Sequence, residues 1–341
     1  RLLPVYRVSF DREDGLNALV YTETGALAGV SNNSKQRVQT AFQWFHTWSW
    51  VPNMAETPRI IGIGLLVGAL VLMSLSGLSM LILIRRKSRA AGAKGWHRIA
   101  AYLLVLPVFM FSSSGVYHLL QHGWPDKHSN LALNKPMQLN QLHFPVNAEW
   151  ATLTANLSVT GFSLVADAAG DTYYRLALPL NKGKVPSDPQ AIRNARFDGI
   201  QSTGPALYVH TSSGEPWTHG DREMAYQLAA HHTGLPRDAV LNATLITRFG
   251  HDYDFRNKRL PVWKFEYGAP LNASVFIDTA TGAIADQTLT SAKPEAFSFS
   301  MLHKWNFMSP LGRQIQNWAM VGVVVLSIVL VAGFGIQSRY R

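Results

Sequence analysis

Three long stretches without a charged side chain place the strongest constraint on how this 341-residue chain folds. Ile60–Ile84, Ile99–Leu120 and Trp318–Gln337 are 25, 22 and 20 residues long. A helix of about 20 apolar residues crosses a hydrocarbon core about 30 Å thick, so each stretch predicts a membrane-spanning helix. A buried core helix is the alternative for one such stretch, but three in one chain favour a membrane protein.

The net charge of +10 is concentrated on one side of these stretches. Residues 85–98 carry six basic and no acidic side chains, and the tail after the last span carries +2, whereas residues 1–59 and 121–317 carry +1 each. Short loops rich in Lys and Arg face the cytoplasm, so the two large segments are expected on the outer side of a lipid bilayer. Because these large segments are almost neutral, the chain has no basic face for nucleic acid, and we expect no nucleic-acid partner.

The sequence of the two outer segments contains both strand patterns and a helix pattern. Apolar residues alternate with polar ones around Tyr6 and Val8, and again around Trp263 and Phe265, which predicts half-buried strands. Arg222–His232 has the pattern of a helix, so we expect outer domains of the α+β class. The predicted segments are an outer domain at residues 1–50, spans at 58–85, 97–120 and 314–337, inner segments at 86–96 and 338–341, and a large outer region at 121–310.

The absence of cysteine limits the chemistry of any cofactor. It excludes disulfides, iron–sulfur clusters, thiolate zinc sites and covalent c-type haem, so a metal or haem would need His, Met, carboxylate or Tyr ligands. The chain also lacks a glycine-rich nucleotide loop, a G-x-S-x-G motif and an H-E-x-x-H motif. Soluble hydrolytic or nicotinamide-dependent catalysis is therefore not indicated.

An internal duplication relates residues 3–48 to residues 260–305 without a gap. The two segments share 12 identities in 46 positions, and matching residues include His46 with His303 and Trp48 with Trp305. Repeated supersecondary units of this kind predict two related halves of the molecule. The second copy follows a span of its own, whereas the first begins at Arg1, so we expect a fourth span upstream in the natural chain.

Four of the twelve histidines lie where a haem within a membrane could be bound. His97 and His118 lie at the two ends of the second span, and His46 and His303 lie at equivalent junctions of the two copies. The first two are 21 residues apart, about 31 Å along a helix, so they cannot share one metal ion. Ionisable side chains at membrane depth are rare and tend to be functional. Each histidine also has a structural alternative: a helix-end or headgroup contact at the junctions and span, or a basic loop residue for His97.

Two further polar groups occur in the large outer region. His251, Asp252 and Asp254 offer imidazole and oxygen donors for an outer iron or chelate, although a polar turn explains them as well. His231 and His232 lie on the predicted helix and are expected to be solvent-exposed.

Several motifs occur in a defined order along nearly the whole chain. They are Leu-Pro-Val-Tyr-Arg from Leu3, Thr-x-Thr-Gly-Ala from Thr22, Phe-His-Thr-Trp ending at Trp48, Trp96-His97-Arg98, Ser114-Gly115-Val116-Tyr117-His118, and Leu-His-Lys-Trp-Asn-Phe ending at Phe307. Together they resemble the bacterial PepSY-associated transmembrane helix family. The resemblance implies two periplasmic PepSY-like α+β domains and a bundle of four helices in the inner membrane.

The resemblance also implies a cofactor and a function. Members of that family include reductases that take iron from ferric siderophores, using haem bound between the spans. By position, His118 and His97 resemble haem ligands on a span and His46 and His303 resemble junction ligands, for two haem b groups. The expected partners are a ferric siderophore or other iron chelate, and an electron donor such as a quinone or a membrane protein. The non-enzymatic alternatives are binding or inhibition of a periplasmic protease and an accessory role in a transporter.

Overall fold

A computed structural model of the chain gives the arrangement of most of its helices and strands. The described residues are 5–21, 26–51, 56–83, 92–123, 153–154, 159–167, 169–178, 206–250, 252–253 and 259–332. The chain divides into two compact units, residues 1–40 with 128–291 and residues 41–127 with 292–341. The predicted α+β class is confirmed, as are three helices long and apolar enough to cross a membrane. His251, Asp254 and the predicted inner tail lie outside the described residues.

The first unit contains three antiparallel sheets. The first sheet is β1 (Tyr6–Ser9), β2 (Asn17–Tyr21) and β3 (Ala26–Ser31), in that order. The second sheet is β4 (Gly161–Ala166), β5 (Thr172–Ala177), β6 (Ala206–His210) and β7 (Pro216–Trp217). The third has the order β11-β10-β9-β8, with β8 (Val240–Ile246), β9 (Val262–Tyr267), β10 (Ala273–Asp278) and β11 (Ala283–Leu289).

Helix α4 (Gly220–Thr233) closes the core between the second and third sheets. Its Met224 and Leu228 pack with Phe265 and Val275 of the third sheet in one buried apolar cluster. Gly234 ends the helix in the left-handed conformation, at φ 67°, which glycine adopts without steric cost. The predicted exposure of His232 is wrong: its side chain is buried on the core face of α4, and its Nε2 lies 2.8 Å from the Gly282 carbonyl.

The predicted duplication is reproduced in the hydrogen-bond register of the strands. Tyr6 pairs with Val20 in the first sheet, and the residues 257 positions later, Trp263 and Ile277, pair in the third sheet. Every described pair of β1–β2 and β2–β3 has such a counterpart, including a register shift after Leu19 that recurs after Phe276. Because a one-residue slip would exchange the two faces of a strand, an identical register with an identical bulge supports a true structural repeat.

The two copies differ in what covers them within the first unit. Phe265 of the third sheet is fully buried beneath α4, whereas Val8, its counterpart in β1, is 43% exposed and Tyr6 is 70% exposed. The expectation of half-buried alternation is wrong for β1, which is exposed along its length, and holds only in part for β9, where Val262 on the opposite face is buried as well. The alternating pattern is present in both strands, and in the third sheet α4 packs on that face.

Arg259 connects the two copies within the first unit. Its guanidinium donates to the Asp278 carboxylate at 2.6 Å and to the Tyr21 hydroxyl at 3.3 Å, and it lies over the Tyr21 ring. Asp278 and Tyr21 occupy equivalent positions of the repeat, 257 residues apart. The buried arginine thus contacts the same strand end in both copies.

The second unit is helical. It contains α2 (Glu56–Leu83), α3 (Gly92–Gly123), α5 (Lys293–Ser298), a π-helical segment (Phe299–His303), a 3-10 segment (Asn306–Leu311) and α6 (Arg313–Leu326), which continues as a π-helical segment (Ser327–Ala332). Helix α1 (Asn33–Thr47) contains the boundary between the two units. In α2, an added Cβ at Gly64 would lie 3.3 Å from Leu119 Cδ2 of α3, whereas Gly68 faces open space.

Candidate functional site

Three of the four predicted haem ligands come together in the helical unit. His46 lies in the last turn of α1, His118 lies near the C-terminal end of α3, and His303 ends the π-helical segment after α5. The ring centroids of His46 and His303 are 6.0 Å apart. His118 stacks on Phe299 at 4.1 Å, and Phe299 stacks in turn on His303 at 4.5 Å. We call His46, His118 and His303 the histidine cluster.

Each copy of the repeat builds its junction histidine in the same way. Phe42 stacks on His46 with ring centroids 4.6 Å apart, and Phe299 stacks on His303 at 4.5 Å. The spacing of four residues places the two rings of each pair on one helix face. Two residues later, Trp48 and Trp305 both adopt a left-handed backbone conformation with φ 53°. The duplication has therefore preserved the local geometry of the junction as well as its residues.

The hydrogen bonds of His303 fix which ring nitrogen carries its proton. Nδ1 lies 3.2 Å from the carbonyl oxygen of Phe111 and 3.4 Å from the hydroxyl of Ser114, both on α3. Because a carbonyl oxygen can only accept a hydrogen bond, Nδ1 is the protonated nitrogen. The lone pair of the neutral ring is then on Nε2, as in histidines that bind metals through Nε2.

The environment of the cluster favours neutral imidazoles. Burial lowers the pKa of His303 to about 4, and the neighbouring His46 adds to the effect, while the hydrogen bond with Phe111 opposes it. Burial also lowers the pKa of His46, with a further contribution from His118. Both junction side chains are therefore uncharged near neutral pH, which is the form that binds a metal ion.

His118 is held by an acidic residue. Its Nδ1 lies 2.6 Å from Oε1 of Glu295 in α5, and the Glu295 side chain is almost fully buried. A carboxylate oxygen accepts hydrogen bonds, so His118 Nδ1 is the donor in this contact. A carboxylate behind an imidazole is the usual way in which proteins orient a histidine that binds a metal.

The distances and the donor set fit a haem held by two imidazoles. Two imidazoles on opposite sides of one metal ion, each with a metal–nitrogen distance of about 2.0 Å, have ring centroids about 6 Å apart. The separation of His46 and His303 agrees with that value. Next to the cluster, Trp305 stacks on Phe111, and its Nε1 is buried without a hydrogen-bond partner among the described residues. An unsatisfied buried donor is what a polar group of a bound ligand would pair with.

The other predicted site residues are not part of this cluster. His97 lies in the first turns of α3, 21 residues before His118 and about 31 Å away at 1.5 Å per residue. Asp252 contacts Lys264 Nζ at 3.1 Å, in the other unit of the chain. Within the described ranges, no group of three or more His, Asp or Glu side chains is arranged to hold a single metal ion.

Three residues of the site escaped the sequence reasoning: Glu295, Phe299 and the Nε1 donor of Trp305. The alignment of the two copies contains a signal for Glu295, because its counterpart is Val38. A carboxylate at a position that is apolar in the other copy indicates a specific partner when it is buried. Phe299 had a similar signal, since its counterpart Phe42 is one of the 12 identities.

Comparison with protein-family models, with curated proteins and with solved structures finds no match. The resemblance to the PepSY-associated transmembrane helix family thus stays a prediction from the sequence motifs.

Proposed function

We propose that this chain is a haem b electron-transfer protein of a bacterial inner membrane that reduces a ferric siderophore or another ferric chelate on the periplasmic side. One observation carries the proposal: three imidazoles from α1, α3 and the segment after α5 converge, and two of them have Nδ1 occupied by an acceptor. For His303, the resulting Nε2 lone pair is what haem iron requires. Without cysteine, such a haem is non-covalent.

The residues of the cluster have separate roles in this proposal. His46 and His303, at a separation suited to the two sides of one iron, would hold one haem. His118 and His97, about 31 Å apart along α3, would be ligands of different irons. The Phe111 carbonyl orients the His303 ring, and burial keeps that ring neutral. A haem held by two histidines would supply one-electron transfer. Phe42 and Phe299 fix the ring planes by stacking.

The direction of transfer follows from the charge distribution. The six basic residues within 85–98 favour a cytoplasmic loop, and this supports the proposal that residues 1–59 and 121–317 lie in the periplasm. One quinol, oxidised to quinone with release of two protons, supplies two electrons, and these reduce two ferric ions to ferrous ions. Siderophores bind iron through hard oxygen donors, which hold Fe2+ less tightly than Fe3+, so reduction releases the metal.

The test is a visible spectrum of the purified chain in detergent, oxidised and dithionite-reduced, followed by reduction of a ferric siderophore in proteoliposomes supplied with quinol. We expect a Soret band, sharp α and β bands on reduction, and reoxidation of the reduced protein by the chelate. His219→Ala, at an exposed position of the other unit, is the matched control and should behave like the wild type. A full-length protein that contains no haem after growth with haem precursor would contradict the proposal and favour the protease-binding or transporter alternatives.

A further inference from the structure

The indole of Trp305 is a buried hydrogen-bond donor without an acceptor. The residue is 7% exposed, and its Nε1 has no hydrogen-bond partner in the part of the chain that the structure describes. An indole nitrogen can only donate, so it cannot be satisfied by exchanging roles with a neighbouring donor. A buried donor left unpaired costs free energy, and most such groups in native proteins have a partner. An acceptor that binds next to Nε1 would remove this cost.

The backbone holds Trp305 in a conformation that is unfavourable for a tryptophan. Its φ of 53° is left-handed, a region that glycine enters freely and that is costly for a residue with a Cβ. Trp48, the counterpart of Trp305 in the repeat, has the same φ. Because a glycine would make this turn at a lower cost, the presence of tryptophan in both copies points to a use for the indole itself.

Trp305 lies next to one of the two junction histidines. Its ring stacks on Phe111 with the centroids 5.2 Å apart, and the Phe111 ring meets His303 edge-on at 5.7 Å. The carbonyl oxygen of Phe111 also accepts the hydrogen bond from His303 Nδ1. Phe111 therefore contacts both the imidazole that is proposed to hold haem and the indole whose donor is unpaired.

A basic side chain lies at the same place. The ammonium group of Lys304 is 5.3 Å from the centroid of the Phe299 ring, which stacks on His303. An unpaired N–H donor and a cation close to one imidazole both favour an anionic acceptor. Haem b carries two propionate groups at the edge of its macrocycle, and its other substituents are methyl and vinyl groups. A propionate carboxylate is thus the part of haem b that suits Nε1.

We propose that Trp305 is a further haem-binding residue, whose Nε1 donates a hydrogen bond to a propionate of the haem held by His46 and His303. This inference rests on the proposed function. A hydrogen bond from a buried donor to a charged oxygen contributes to haem affinity. Trp305 is not a ligand of the iron, so its loss weakens binding and leaves the two axial imidazoles in place.

The test measures binding of haem b and of haem dimethyl ester, in which both propionates are esterified, by the haem-depleted full chain in detergent. The haem that is lost in His303→Ala is the one to follow. Trp305→Phe keeps a ring to stack on Phe111 and removes the donor, so we expect haem b to bind about 10- to 100-fold less tightly than in the wild type. The wild type and Trp305→Phe should differ much less for the ester, because an uncharged acceptor forms a weaker hydrogen bond. Trp318→Phe, at a 70% exposed position of α6, is the control and should bind both compounds like the wild type.

Ultraviolet resonance Raman spectra give a second readout, because an indole band reports whether the N–H group is hydrogen-bonded. The difference between wild type and Trp305→Phe should show a free N–H in the haem-depleted chain and a bonded one after haem b is added. A water molecule trapped at Nε1 would leave the N–H bonded in both forms and the haem affinity of Trp305→Phe unchanged, which would overturn the inference and leave the proposed function intact. Equal losses of affinity for haem b and its dimethyl ester would also overturn it. A chain that binds no haem b would contradict the proposed function and the inference together.

Discussion

The two copies of the internal repeat have the same backbone and different surroundings. In both copies the three strands have the same register and the same bulge. The helical segment that follows contains a Phe–His stack, and a tryptophan in the left-handed conformation comes two residues after the histidine. In the second copy, β9 and β10 are buried against α4, whereas β1 in the first copy is exposed along its length. The apolar pattern of a strand therefore reports its capacity to pack, and the neighbouring elements decide whether it is buried.

The copies also differ at the site. The junction histidines, their stacking partners and the following tryptophans are common to both, which is consistent with a paired role. Glu295 is present in one copy alone, opposite Val38 in the alignment. A shared framework thus holds His46 and His303, and a residue specific to the second copy contacts His118.

The largest expected effect tests the difference in burial. Phe265→Ala removes a ring that is fully buried in the core formed with α4, and we expect a loss of about 3–5 kcal/mol in the free energy of unfolding. Val8→Ala changes the equivalent, exposed position and should cost no more than about 0.5 kcal/mol. Chemical denaturation in detergent, followed by tryptophan fluorescence, measures both, and equal costs would contradict the assigned difference in packing.

The pH dependence tests the burial of the second junction histidine. The pKa of His303 is lowered to about 4 in the folded chain, against an ordinary value of 6.5. Its unfolded form thus binds a proton more readily, so the contribution to stability is intact above pH 6.5 and is lost as the pH falls from 6.5 toward 4. The loss is at most about 3 kcal/mol, at 1.36 kcal/mol per pKa unit. Thermal unfolding of haem-depleted protein between pH 7.5 and 4 should show this slope in the wild type and in His219→Gln, but a weaker slope in His303→Gln; identical slopes would refute it.

A smaller effect tests the connection between the copies. Tyr21→Phe keeps the ring over Arg259 and removes the hydroxyl that accepts its hydrogen bond, which should cost about 1.5–3 kcal/mol as a bond to a charged group. In an Arg259→Met background the same change should cost much less. The double-mutant cycle isolates the coupling between Tyr21 and Arg259, and additive losses would mean that the two side chains act independently.

The sequence predicted the large features of this molecule because they have strong periodic or compositional signals. The apolar helices follow from uncharged runs that are too long for ordinary strands, and the helix at Arg222–His232 was recovered as Gly220–Thr233 with its glycine end. The repeat was recovered from 12 identities because no gap disturbs the alignment. Contacts between elements distant in sequence have no comparable signal.

Those distant contacts explain what the sequence did not reveal. The burial of His232 depends on the Gly282 carbonyl, 50 residues away, and the role of Glu295 depends on His118, 177 residues away. The convergence of His46, His118 and His303 was suggested by their positions at helix ends, but their hydrogen bonds and the tautomers that follow required the structure. In the alignment of the two copies, one copy has a carboxylate where the other has valine, and this difference in the sequence indicates a specific partner for the carboxylate.

The most direct test of the account is the haem content of the two junction variants. His46→Ala and His303→Ala should each lose the same haem, because the two rings lie 6.0 Å apart and are proposed to bind one iron from opposite sides. Pyridine haemochrome analysis of the purified chain, with His219→Ala as the control, gives the stoichiometry. We expect each junction variant, and the double variant, to contain one haem fewer than the wild type. Haem content in His46→Ala and His303→Ala equal to that of the wild type, or a wild type without haem, would contradict the central claim.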